Sequence, residues 1–135
     1  MDRRARGMAV AVVLAAAVGA CGTVSERRDQ VRDAAAAFEE ALDEGAYDRV
    51  CAALAPGTVE ELEQSAGRPC ARALGEEAPP PGGALRSADV HGNEARAVLT
   101  EDTLFLSRFN DGWKVVAAGC EQVPDQPYRC GIKGG

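Results

Sequence analysis

The sequence predicts an α+β fold in which N-terminal helices pack on a four-stranded antiparallel meander. Three observations predict it. Apolar residues recur at helical spacing through residues 25–74, a cluster of proline and glycine interrupts the chain at 76–83, and period-two alternation takes over from 85 to 118.

Ser25 is placed to cap a first helix running to about Glu44, because Val31, Ala34, Ala35, Phe38, Ala41 and Leu42 fall on one face and Gly45 ends the pattern. That face is mostly alanine, which permits close approach to a sheet or another helix. A second helix from Ala46 carries Tyr47, Val50, Cys51 and Leu54 on one stripe and breaks at Pro56-Gly57, so Cys51 points inward. Thr58 and Glu61 have the T-x-x-E spacing of a capping box for a third helix, Gly67 stops it, and Pro69 opens a last turn with Cys70, Ala71, Ala73 and Leu74. Three consecutive prolines and two glycines within 76–83 then make a stiff polar connector.

Strands are predicted at 85–91 and 94–100 around Gly92-Asn93, and at 103–109 and 113–118 around Asn110-Asp111-Gly112. In the third strand Phe105 and Phe109 share one face while Leu104 and Leu106 share the other, which predicts partial cover on both sides. Trp113 reads as a core or sheet-face aromatic rather than a ligand platform. The tail 121–135, with Pro124 and Pro127, has little periodicity and is read as an irregular segment.

The first residues have a different design. Arg3, Arg4 and Arg6 precede an unbroken 11-residue apolar run at 8–18, too short to cross a bilayer as a permanent helix, which takes about 20 residues. This is the pattern of a signal peptide. Val18-Gly19-Ala20-Cys21 resembles the lipobox of bacterial lipoproteins, in which the cysteine thiol receives a diacylglycerol before cleavage makes it the new N-terminus. Ordinary secretory cleavage after Ala20 is the rival reading and would leave a free N-terminal thiol. The expected organisation is a signal peptide at 1–20, a lipidated tether at 21–25 and a single α+β domain at 26–135, with palmitate or a similar acyl group on Cys21 holding the chain on the extracytoplasmic face of the cell membrane.

Of the chain's 15 basic and 21 acidic groups, residues 1–20 hold three and one, so the remainder carries 12 and 20, a net charge of −8. Such a surface repels phosphate backbones, and no basic run interleaved with aromatics follows residue 20, which argues against a nucleic-acid partner.

Setting Cys21 aside leaves Cys51, Cys70, Cys120 and Cys130, an even number in a chain bound for an oxidising compartment. Three pairings are open to four cysteines. Cys51–Cys70 with Cys120–Cys130 is favoured, because each joins neighbours across a short connection, and each bridge is worth roughly 3 kcal/mol in the chain-entropy model. The first bridge would staple helices two and three into a hairpin. No metal site is expected, since zinc favours closely spaced cysteine pairs and His91 is the single histidine. No cofactor is expected either.

Helices followed by an antiparallel meander over 26–135 resemble the nuclear-transport-factor-2-like, or cystatin-like, cone. More specifically, the chain is similar to small exported lipoproteins of high-GC Gram-positive bacteria that share a lipobox, an alanine-rich helix with a glycine end, and paired cysteines. Cys51-Ala52-Ala53-Leu54-Ala55-Pro56, Gly67-Arg68-Pro69-Cys70, Asp102-Thr103-Leu104-Phe105-Leu106, Gly112-Trp113 and Ala117-Ala118-Gly119-Cys120 carry this likeness. It implies the fold and the anchored location and transfers no substrate.

Cone-fold enzymes place acids and bases inside the concave pocket. Here His91 sits at a strand end beside Gly92, and Asp89, Asp102 and Asp111 lie at or near turns, where a solvated surface role is the ordinary expectation. No catalytic residue is assigned. The expectation is a non-catalytic binding or interaction module of the cell envelope, partnered by the membrane through its anchor and by an envelope protein or small ligand. Two alternatives use a pocket between helices and sheet: a cone-fold enzyme with Tyr47 or His91 exchanging protons, and a carrier of a small apolar ligand.

Overall fold

The computed structural model describes residues 22–134, and the predicted signal peptide and Cys21 lie outside them. Four helices precede five strands: α1 (Val24–Asp43), α2 (Tyr47–Ala53), α3 (Pro56–Ala66), α4 (Cys70–Glu77), β1 (Leu85–His91), β2 (Glu94–Leu99), β3 (Thr103–Phe109), β4 (Gly112–Glu121) and β5 (Arg129–Lys133). The α+β class holds.

α1 starts earlier than the sequence predicts. Thr23 is the cap: its hydroxyl accepts the Glu26 N–H at 3.1 Å, and the Glu26 carboxylate accepts the Thr23 N–H at 2.8 Å. This reciprocal pair satisfies two donors, whereas Ser25 has Arg28 three residues on and cannot form it. Val24 and Ser25 therefore belong to α1. Glycine at Gly45 follows the helix end as expected, with φ 64°.

Two further corrections concern the helices. Pro56 takes the first position of α3, where its missing N–H costs nothing, so Thr58 lies inside the first turn and is not a cap. Its hydroxyl instead donates to the Val116 carbonyl at 2.9 Å, and the residue is buried. The segment after Pro69 is a separate eight-residue helix, α4, rather than a last turn of α3. The Cys51–Cys70 bridge consequently joins α2 to α4, not helices two and three.

The sheet is an antiparallel meander in the order β1-β2-β3-β4-β5, with five strands where the sequence predicts four. β5 escapes periodicity because Ile132 is its one buried residue. The ladder to β4 holds it, running from Ala117↔Lys133 to Glu121↔Arg129 and including Cys120↔Cys130, which are joined by the second disulfide. Pairing with β5 also extends β4 beyond the predicted residue 118, to Glu121.

One face of the sheet meets the helices. Ala95, Ala97 and Leu99 of β2 and Leu104 and Leu106 of β3 pack there against Val31, Ala35 and Phe38 of α1 and Leu74 of α4. Phe38 and Leu74 are fully enclosed. Trp113 joins this core, as its sequence context predicts. The other face is covered in part: Phe105 meets the Tyr128 ring edge-on at a centroid distance of 5.1 Å, while Phe109 is exposed.

A register shift between Phe105 and Leu106 leaves Val116 without a cross-strand partner. The helical layer uses the gap. Leu54 bridges Val115 in parallel, the Ala55 N–H donates to the Val115 carbonyl at 2.8 Å, and the Val116 carbonyl accepts both Thr58 and the Gly134 N–H.

Candidate functional site

The connector read as a stiff spacer is a wall. Between α4 and β1, Pro79, Pro80 and Pro81 cannot donate backbone hydrogen bonds and hold their segment extended. Gly82 then anchors it on two sides. Its N–H donates to Glu39 of α1 at 2.6 Å, and its carbonyl accepts the Glu101 N–H at 2.9 Å from the β2–β3 turn. A Cβ at Gly82 would lie 2.5 Å from Asp102 and 2.6 Å from Leu99, so no larger residue fits.

Wall, turn and sheet edge enclose a cleft of about 280 Å³. Leu42, Ala118, Ile132 and the three prolines supply its apolar lining, and Glu77, Glu101 and Asp102 supply carboxylates. Asp102 is held by the backbone: Oδ1 accepts the Thr103 and Cys120 N–H groups at 2.6 and 2.7 Å, and Oδ2 accepts the Gly119 N–H at 2.9 Å. Gly119 reaches it from a φ of 65°, which glycine adopts without strain. The sequence expectation of a solvated surface role for Asp102 is thus corrected, since its charge is spent on three strand amides.

Glu39 lies beside this cleft on α1, partly buried. Burial raises its pKa above the ordinary value, the Gly82 N–H works against that rise, and the Asp102 carboxylate adds to it. Oε1 is buried without a hydrogen-bond partner. The sequence held a signal for this residue: Glu39 stands four positions after the buried Ala35 and borders the apolar stripe of α1.

Two further hollows lie elsewhere among the described residues. A hollow of about 550 Å³ lies on the outer sheet face over Ser107, Phe109, Val116 and Ala117, and one of about 190 Å³ separates α3 from β5. Tyr47 and His91, the residues of the enzymatic alternative, line none of the three. Tyr47 packs partly buried against the core, with Gly75 close to its ring, and His91 is exposed at the end of β1. Asp89 pairs with Arg96 at 3.3 Å and Asp111 with Lys114 at 3.3 Å, both on the surface. Among the described residues no group of three or more His, Cys, Asp or Glu side chains is gathered as a metal site would require, and no helix is long and apolar enough to cross a membrane. Cys51, Cys70, Cys120 and Cys130 are paired with one another in the favoured connectivity.

No family model matches the chain, and comparison with curated proteins and with solved structures likewise returns no match.

Proposed function

We propose that this chain is a membrane-anchored extracytoplasmic lipoprotein, acylated on Cys21, whose domain is a non-catalytic binding module of the cell envelope. The anchor reading stands on Val18-Gly19-Ala20-Cys21 behind a basic flank and an apolar run of 11 residues. Two internal disulfides fit an oxidising compartment. A long α1 laid across one face of a bulged antiparallel meander supports assignment to the cystatin-like cone.

The single observation that carries the binding reading is the cleft under the proline wall. Its apolar lining with carboxylates at Glu77 and Glu101 suits an apolar group bearing positive charge, on a small ligand or on a side chain of an envelope protein. Asp102 is already engaged by three amides, so the two glutamates are the groups left to meet a cation.

The reading is tested in the native membrane. A photo-reactive residue at Pro80 should cross-link a discrete partner, the adduct should weaken when Glu77 or Glu101 is changed to Gln, and the same probe at exposed Arg86 should give none. Equal labelling from both positions would overturn the cleft as the binding site. Intact mass of the membrane fraction should show acyl chains on Cys21 together with both bridges.

A further inference from the structure

The end of the molecule opposite the cleft carries features that the binding reading leaves unused. Two large hydrophobic side chains stand out to solvent among the described residues, Val24 at 53% and Phe109 at 37% exposure, and both are at this end. Val24 opens α1. Phe109 closes β3 at its hairpin with β4. The two sites are tied into one rim through the β1–β2 turn: Arg27 Nη1 donates to the Gly92 carbonyl at 3.2 Å, and the Arg108 N–H donates to the Asn93 carbonyl at 2.8 Å. With 20 residues at about 1.5 Å each, α1 separates this rim from Leu42 in the cleft by most of its roughly 30 Å length.

Charge divides along the same axis. The rim holds Arg27, Arg28, Arg108 and Lys114 against Glu26, Asp29, Glu94 and Asp111, so its four basic and four acidic groups balance. The net charge of −8 beyond residue 20 therefore belongs to the rest of the molecule, beginning with Glu39, Glu40 and Asp43 on the last turns of α1 and Glu44 at its C-cap. An anionic bilayer repels that far end and tolerates only the balanced one. Gly22 and Thr23 separate Val24 from Cys21, so an acyl group there is too close for the rim to stand far from lipid.

We infer that this rim is a lipid-contacting surface, with Val24 and Phe109 entering the headgroup region of an anionic bilayer and exposed Arg28 and Arg108 meeting lipid phosphates. The inference rests on the lipid-anchor reading and deepens it: a second, weak contact beside the acyl chains fixes orientation and turns the acidic cleft away from the membrane.

Trp113 is the sole tryptophan and follows Gly112 at the rim, which makes it a built-in reporter. The acylated protein is placed in vesicles of phosphatidylglycerol and phosphatidylcholine containing a lipid with a nitroxide on its headgroup. Trp113 emission should be quenched, and V24D/F109D should abolish the quenching without loss of the acylated mass or of the circular dichroism spectrum. R28Q/R108Q should lower the population in contact by about fivefold for each arginine. Intact mass separates the two readings. Acylated protein with unquenched Trp113, or quenching that survives V24D/F109D, overturns the rim and leaves the anchor standing. Unacylated protein whose Trp113 is still quenched by vesicles, in a manner sensitive to Phe109, supports the rim and removes the anchor.

Discussion

The helical layer and the sheet hold their shapes by different means. β1 to β4 are joined by tight two-residue hairpin turns and a short β2–β3 turn, and each strand finds its partner next in sequence. By contrast α2, α3 and α4 have 7, 11 and 8 residues and no side-chain N-cap, and helices shorter than about 12–15 residues are marginal on their own. They persist because the Cys51–Cys70 bridge ties α2 to α4, Leu74 and Val50 fill the core, and Leu54 and Ala55 dock on β4. The difference teaches where each disulfide matters. Cys51–Cys70 constrains elements that tertiary contacts alone must gather, while Cys120–Cys130 joins residues already opposite one another in a ladder.

Replacing both Cys51 and Cys70 by alanine should have the largest effect, a loss of about 3 kcal/mol in urea unfolding. Hydrogen exchange should rise chiefly in α2 and α4. The same change at Cys120 and Cys130 should loosen β5 and leave the helical layer protected. Indistinguishable exchange patterns from the two variants would break the comparison.

Asp102→Asn sharpens it at the junction of wall and sheet. An amide presents N–H to the Gly119 N–H and gives up charge-assisted bonds to Thr103 and Cys120, for a cost of about 2 kcal/mol. Faster exchange at the Gly119 and Cys120 amides would locate the loss in β4.

Glu39→Gln should have the smallest effect and the opposite sign. Burial holds the Glu39 pKa above its ordinary value of 4.5, so the stability linked to its protonated form is complete below that value and is lost as pH rises through the raised pKa. Glutamine stays neutral throughout. The variant should melt slightly higher than the parent at pH 7, with the gap closing below pH 4.5, and a gap that does not depend on pH would remove burial of the charge as its cause.

Much of the fold was legible because its signals are local. The apolar stripe of α1, the stops at Gly45 and Gly67, and the turns at Gly92-Asn93 and Asn110-Asp111 each need only a few neighbouring residues. β5 was illegible because a strand with one buried residue has no period to read. The Thr58 to Glu61 spacing matched a capping box, yet α3 starts at Pro56, three residues earlier than a Thr58 cap would set it, which frees the hydroxyl for Val116. Tyr47 and His91 were singled out by residue type and lie apart from the cleft, whereas Glu39 and Asp102 drew no attention as partners because 63 positions of sequence separate them.

By itself the sequence determined the α+β order of elements, the even set of four cysteines beyond Cys21 and the acidity beyond residue 20, all carried by composition and short-range spacing. Only the tertiary structure decided that Gly82 binds Glu39, that Asp102 anchors β4, and that Val24 and Phe109 share one rim. The physical reason is range: periodicity and turn chemistry act over a few residues, while a cleft or a surface forms where distant segments meet and each backbone N–H must find an acceptor.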